Sequence, residues 1–160
     1  NLGFCLSNRG QMFWLDENSP ACIGPKRRPR TTLSPSLALK DGLPYMVFGT
    51  PGGDQQDQWS LHLFLRHIHF GLNLQEAIDA PGFSTAHFPN SFFPRETDIG
   101  HLALEGRFPK ETIKELIKRG HKVSVDSDWS LGRMTAASMD NGILKGAANP
   151  RFMQGYAIGR

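Results

Sequence analysis

The chain has 160 residues, 39% of them hydrophobic and 21% charged, with a formal net charge of +3 at pH 7. This is the composition of one globular domain, residues 1–160, with room for a sizeable core, and no run of about 18 apolar residues offers a membrane span. Much of the positive charge lies in Lys26-Arg27-Arg28-Pro29-Arg30 without interleaved aromatic residues, which suits a solvated loop or a carboxylate site and argues against nucleic acid.

In chain order, Gly3 to Ser7 and Gln11 to Leu15 read as strands around the turn Asn8-Arg9-Gly10, a first hairpin. Cys5 and Cys22 lack the spacing of a zinc site or the density of a disulfide framework, and read as buried free thiols. Asp16 to Pro35 is a long polar, Pro-rich connection of the kind that carries function or disorder. Leu37 to Lys40 and Tyr45 to Gly49 flank Asp41-Gly42, a second hairpin.

The exit strand of that hairpin delivers Gly49-Thr50-Pro51-Gly52-Gly53-Asp54 to a helix start. Glycines let a ligand approach the backbone, and the bare amides of a helix N-terminus attract negative charge. A phosphate, a reaction oxyanion or an ordinary strand-to-helix turn all fit this segment.

From Asp54 to Phe70, Leu61, Phe64, Leu65 and Ile68 recur at helical spacing as a core-facing stripe, with Trp59 as a core residue nearby. His62, His67 and His69 share this helix at angles that do not converge on one ion, and neither a metal nor a cofactor is expected. His62 and Arg66 read as a surface pair four residues apart. Asn73 caps a short helix through Ile78 that ends at Ala80-Pro81, and Phe83 to Glu105 reads as short strands among turns. Pro109 opens a helix over Lys110 to Arg119, with Ile113, Leu116 and Ile117 on one face and Gly120 as its stop. A strand through Val123 and Val125 follows, with Asp126 and Asp128 as solvated acids. Met134 to Met139 and Ile143 to Gly146 then flank Asp140-Asn141-Gly142 as a third hairpin. Hairpins separated by helices predict a layered α+β fold rather than a doubly wound parallel sheet.

Four segments occur in order: Gly3-Phe4-Cys5-Leu6-Ser7-Asn8, Pro25 through Pro35 with the Thr31-Thr32 pair, Gly49-Thr50-Pro51-Gly52-Gly53, and Asn149-Pro150-Arg151. Together they resemble the small-subunit region of the γ-glutamyltranspeptidase family. The resemblance implies an N-terminal-nucleophile hydrolase sandwich, with antiparallel sheets covered by helices. It also implies a proenzyme that cleaves itself to expose a threonine, which takes an acyl group from an amide and passes it to water or an amine. By the same resemblance, Gly52 and Gly53 are the backbone oxyanion hole, and Thr31 and Thr32 hold the donor's α-carboxylate. Arg28 or Arg30 beside those hydroxyls suits a carboxylate on chemical grounds.

Two departures shape the expectation. The family's nucleophilic threonine lies upstream of Gly3, and Asn1 supplies neither its hydroxyl nor its position, so the chain is expected to be a trimmed or processed piece that is inactive alone. Where true transpeptidases carry an acid for the glutamyl α-ammonium, ungapped alignment places Met12, and Arg9 replaces a neutral residue. The expected donor is therefore a small amide bearing a carboxylate but no α-ammonium, such as a glutaryl amide or oxamate, with a γ-glutamyl donor as the alternative. A non-catalytic anion-binding module is the competing class. A piece of a sandwich leaves strand edges and a core face uncovered, which predicts pairing with the rest of the proenzyme, including its large subunit, or homo-oligomerisation.

Overall fold

The computed structural model describes residues 3–152, the backbone of residue 153, and residues 155–159; Asn1 lies outside them. In chain order the regular elements are β1 (Ser36–Lys40), β2 (Leu43–Gly49), α1 (Gln56–Ile68), α2 (Leu74–Asp79), β3 (Phe83–Thr85), β4 (His101–Glu105), α3 (Lys110–Lys118), β5 (Lys122–Asp126), β6 (Thr135–Asp140) and β7 (Ile143–Ala148). They form a mixed α+β architecture with a four-stranded antiparallel sheet, β1-β2-β6-β7, and a three-stranded sheet, β3-β4-β5. Among the described residues no helix is long and apolar enough to cross a membrane.

The second and third hairpins form as their turns require. Asp41-Gly42 and Asn141-Gly142 all have positive φ, the condition for a two-residue turn that matches strand twist. Across the large sheet, Phe48 pairs with Ala136 and Ala136 with Ala147, so these residues share a face with Met46. Helices α1 and α2 cover that face, and Met46, Leu63, Leu74, Ala77, Ile78, Met134, Ala136 and Ala147 make one core cluster. Asn73 fixes the start of α2 by a reciprocal cap: its side chain accepts the Glu76 N–H and the Glu76 carboxylate accepts the Asn73 N–H, both at 2.9 Å. The opposite face, with Leu37, Val47 and Leu144, is exposed.

Several expectations are corrected. The first hairpin does not form: Arg9–Met12 is a short 3-10 turn, and the nearest strand-like feature is a bridge between Trp14 and Cys22. The Arg9 N–H bonds to the Ser7 hydroxyl and the Gln11 N–H to the Asn8 carbonyl, local partners that compete with a ladder. Cys5 is exposed while Cys22 is buried, and both are free. In α1 the core residue is Leu63; Leu61 and Ile68 are 54% and 41% exposed. Arg66 is no surface partner of His62, because its guanidinium reaches the Ala77, Ala80 and Pro81 carbonyls at the end of α2. Finally, β4 and β5 pair in parallel, with α3 as the crossover that such a pair needs.

Candidate functional site

The glycine turn leaves the end of β2 and is held at its base by Thr50. The Thr50 hydroxyl donates to the Pro51 carbonyl at 2.7 Å and accepts the Arg133 N–H at 3.1 Å, which ties the loop to the approach of β6. Gly52 then adopts φ +146° and Gly53 φ +60°, and a 3-10 turn over Gly53–Gln55 runs into α1. Among the described residues neither the Gly52 nor the Gly53 N–H donates a hydrogen bond. Two donors thus stand free at a helix start, the arrangement that stabilises an anion.

Trp59, in the first turn of α1, is pressed against this bend. A Cβ built on Gly52 would lie 2.3 Å from its ring, and one built on Gly132 would lie 3.3 Å from the same ring. The indole N–H donates to the Phe83 carbonyl at 3.1 Å, so the ring is anchored where it stands.

The other expected site residues are spread around this turn. Thr31 is exposed and its hydroxyl accepts the Leu33 N–H at 3.2 Å, whereas Thr32 is buried. Arg30 reaches the turn directly, with its guanidinium 3.5 Å from the Asp54 carboxylate and 3.4 Å from the Pro89 carbonyl. Arg28 is exposed and makes no ion pair among the described residues. Arg9 opens the 3-10 turn half-buried, and Met12 at its end is fully buried.

Sequence reading missed the polar contacts that join these segments. Asp54 accepts the Ser91 N–H at 2.8 Å and the Ser91 hydroxyl, and Ser91 is fully buried. Arg95 donates to the Ser91 carbonyl and, at 2.8 and 3.4 Å, to the carbonyls of Phe13 and Gln11, while stacking 5.0 Å from the Trp14 ring. Apart from Arg95 and Ser91, which are four residues apart, the partners lie 37 to 84 residues apart, so no local signal could have found them.

Behind the core, Arg151 of the Asn149-Pro150-Arg151 segment forms a buried ion pair with Glu105, Nε and Nη2 lying 2.6 and 2.7 Å from its two oxygens. Glu105 also accepts Gly82 N–H, Leu131 N–H and Arg107. Burial alone would push this carboxyl up, but bonds from Arg151, Gly82, Leu131 and Arg107 outweigh it and hold the pKa at about 2. His62 stacks on Phe83 at 3.9 Å; burial, with Arg66 adding repulsion, lowers its pKa to about 4.

Both folded values lie below their unfolded ones, 6.5 for His62 and 4.5 for Glu105, so the unfolded chain binds more protons on acidification. Stability is therefore expected to fall first as pH drops from 6.5 towards 4, then by on the order of 3 kcal/mol for Glu105 below its unfolded pKa. Urea midpoints measured from pH 7 down to pH ~2 check this, and Glu105→Gln should flatten the lower limb.

Comparison with known proteins identifies the family. The family model for gamma-glutamyltranspeptidase matches residues 1–159. The glutathione hydrolase-like YwrD proenzyme of Bacillus subtilis is 34% identical over 160 residues, covering 98% of this chain and 29% of that protein. The oxamate amidohydrolase proenzyme of Klebsiella pneumoniae is 37% identical over 153 residues, covering 93% and 28%. The solved structure of LmbA2991HD is 54% identical, covering 99% of this chain and 29% of that one, with a TM-score of 0.89. The chain spans less than a third of the curated relatives it matches, which are proenzymes in which this region is one part of a longer chain. With its match over nearly every residue and its mixed sheet-and-helix layers, the chain belongs to the γ-glutamyltranspeptidase family.

Proposed function

We infer that the chain is the C-terminal portion of an amidohydrolase or acyltransferase that forms an acyl-enzyme on a threonine outside these residues. The observation that carries this reading is the Gly52-Gly53 turn, whose two N–H groups are free among the described residues at the start of a helix. The nucleophile needs a hydroxyl and a free α-amine in one residue, which self-cleavage of the full-length proenzyme would expose. Its oxygen attacks the amide carbonyl, and the negative charge that develops on the carbonyl oxygen is held by the Gly52 and Gly53 amides. The C–N bond then breaks, the amine leaves with a proton, and water or an acceptor amine releases the acyl group. The rest of the proenzyme would also cover the open face of the large sheet around Leu37, Val47 and Leu144.

The donor we infer carries a carboxylate and no α-ammonium. Thr31 and Thr32, with Arg30 or Arg28 nearby, would take the carboxylate. Met12 is fully buried and uncharged, and Arg9 beside it repels a cation, so an ammonium would have no counter-ion there. The similarity to an oxamate amidohydrolase supports this choice; the similarity to a glutathione hydrolase-like protein favours a γ-glutamyl donor instead.

The full-length, autoprocessed protein should be assayed with oxamate and with glutaryl and γ-glutamyl anilides. A missing charge-assisted contact worth about 2 kcal/mol predicts kcat/KM for the preferred α-ammonium-free donor roughly 30-fold above that for the γ-glutamyl anilide. Preference for the γ-glutamyl anilide would overturn the donor assignment, and no turnover of any amide would overturn the class. The 160 residues alone are expected to turn over none of these amides.

A further inference from the structure

The two parts of the inferred site, the oxyanion turn and the Thr31-Thr32 segment, share one side chain. Asp54 follows Gly53 directly and is the second residue of the 3-10 turn. Its carboxylate, 17% exposed, accepts both the N–H and the hydroxyl of Ser91, and faces the Arg30 guanidinium at 3.5 Å. Arg30 immediately precedes Thr31.

We propose that Asp54 is a positioning residue: it clamps the Gly52-Gly53 turn to Ser91 and, through Arg30, to the Thr31-Thr32 segment, so that oxyanion donors and carboxylate-binding hydroxyls keep one spacing. The proposal rests on the acyl-transfer reading above.

The need for such a clamp is physical. Two consecutive glycines have no side chains with which to hold their own conformation, so the direction of their N–H groups depends on what anchors the next residue. The anchor here is rigid. Ser91 is fully buried, its carbonyl is held by Arg95, and Arg95 is held in turn by Trp14 and the Phe13 and Gln11 carbonyls.

The Arg30 contact has a second effect. A carboxylate beside a developing oxyanion would oppose it, and the neighbouring guanidinium offsets that charge. Arg30 is 46% exposed, so the pair adds little stability and its consequence is positional.

The test uses the full-length, processed protein and whichever amide it turns over best, with rates referred to folded, titrated active sites. Ser91→Ala removes the hydroxyl contact and keeps the backbone N–H that donates to Asp54, so it loosens the turn alone and should lower kcat several-fold with KM nearly unchanged. Asp54→Ala frees both segments, so kcat should fall at least as far and KM should rise. Asp54→Asn can still accept from the Ser91 N–H and donate to its hydroxyl while losing the charge pair; it should restore kcat and leave KM raised. Equal kcat losses in the alanine and asparagine variants, or values for Asp54→Ala within about twofold of the parent, would overturn the proposal.

Hydrogen exchange provides a readout that needs no substrate. Asp54→Ala should speed exchange in residues 50–56 and 27–33 together, and Asp54→Asn in 27–33 alone. Unchanged exchange in both segments overturns the clamp. A parent protein that turns over no amide overturns the acyl-transfer reading instead, and leaves the exchange result standing.

Discussion

Gly52→Ala is expected to lower turnover of the full-length protein by a factor on the order of 10² to 10³, the usual cost of losing an oxyanion donor. Two independent obstacles act at this position. At φ +146° an L side chain collides with its own backbone, and the added Cβ would stand 2.3 Å from the Trp59 ring. The ring cannot simply retreat, because its N–H is bonded to the Phe83 carbonyl and Gly132 also packs against it. The bend itself must give, and the direction of the two amides changes with it.

Gly53→Ala is the matched control. Its φ of +60° lies in the left-handed region that an alanine enters for roughly 1–2 kcal/mol, and the nearest atom to its Cβ is on Phe92 at 3.7 Å. Turnover should therefore fall much less at Gly53 than at Gly52. Measuring kcat and thermal midpoints for both variants checks this, and equal kcat for the parent and Gly52→Ala would remove the turn from the mechanism.

Arg151→Ala is the substitution expected to cost most in stability, about 3–5 kcal/mol. It leaves the fully buried Glu105 carboxylate with Arg107 as its one remaining ion-pair partner among the described residues, and takes a donor from the Ile78 and Ala80 carbonyls. Replacing both partners by apolar residues often recovers such a loss. Here it should not, because the Gly82 and Leu131 amides also depend on Glu105 and would be left without an acceptor. Urea unfolding of Arg151→Ala and of Glu105→Leu/Arg151→Met tests both statements. A double variant as stable as the parent would show that these amides find other partners.

The two later hairpins, the three helices and the glycine turn were all legible in the chain because their causes are local. Asp41-Gly42 and Asn141-Gly142 supply the positive φ that tight hairpins need, Asn73 and Glu76 cap one another, and Pro109 and Gly120 bracket α3. The Asn8-Arg9-Gly10 turn carried a similar signal and failed. Neither of its arms found a ladder partner, and Ser7 and Asn8 offered the backbone nearer acceptors.

For α1, periodicity identified a helix and misjudged its face. The segment is apolar at Leu61, Leu63, Phe64, Leu65 and Ile68, which is too wide a stripe to say which side meets a sheet. Docking on β2 and α2 chose Leu63 and left Leu61 and Ile68 at the surface. The parallel pairing of β4 with β5 was likewise invisible, since it depends on where α3 returns the chain.

By itself the sequence determined that Gly52 and Gly53 would turn into a helix with bare amides, because glycine's freedom and a helix start are properties of neighbouring residues. Only the tertiary structure decided what braces that turn. Trp59 against Gly52, Asp54 on Ser91, Arg30 beside Asp54 and Arg151 on Glu105 join residues 7 to 46 positions apart through space. Contacts of that kind are selected by shape and charge when the layers close, and leave no period or motif in the chain.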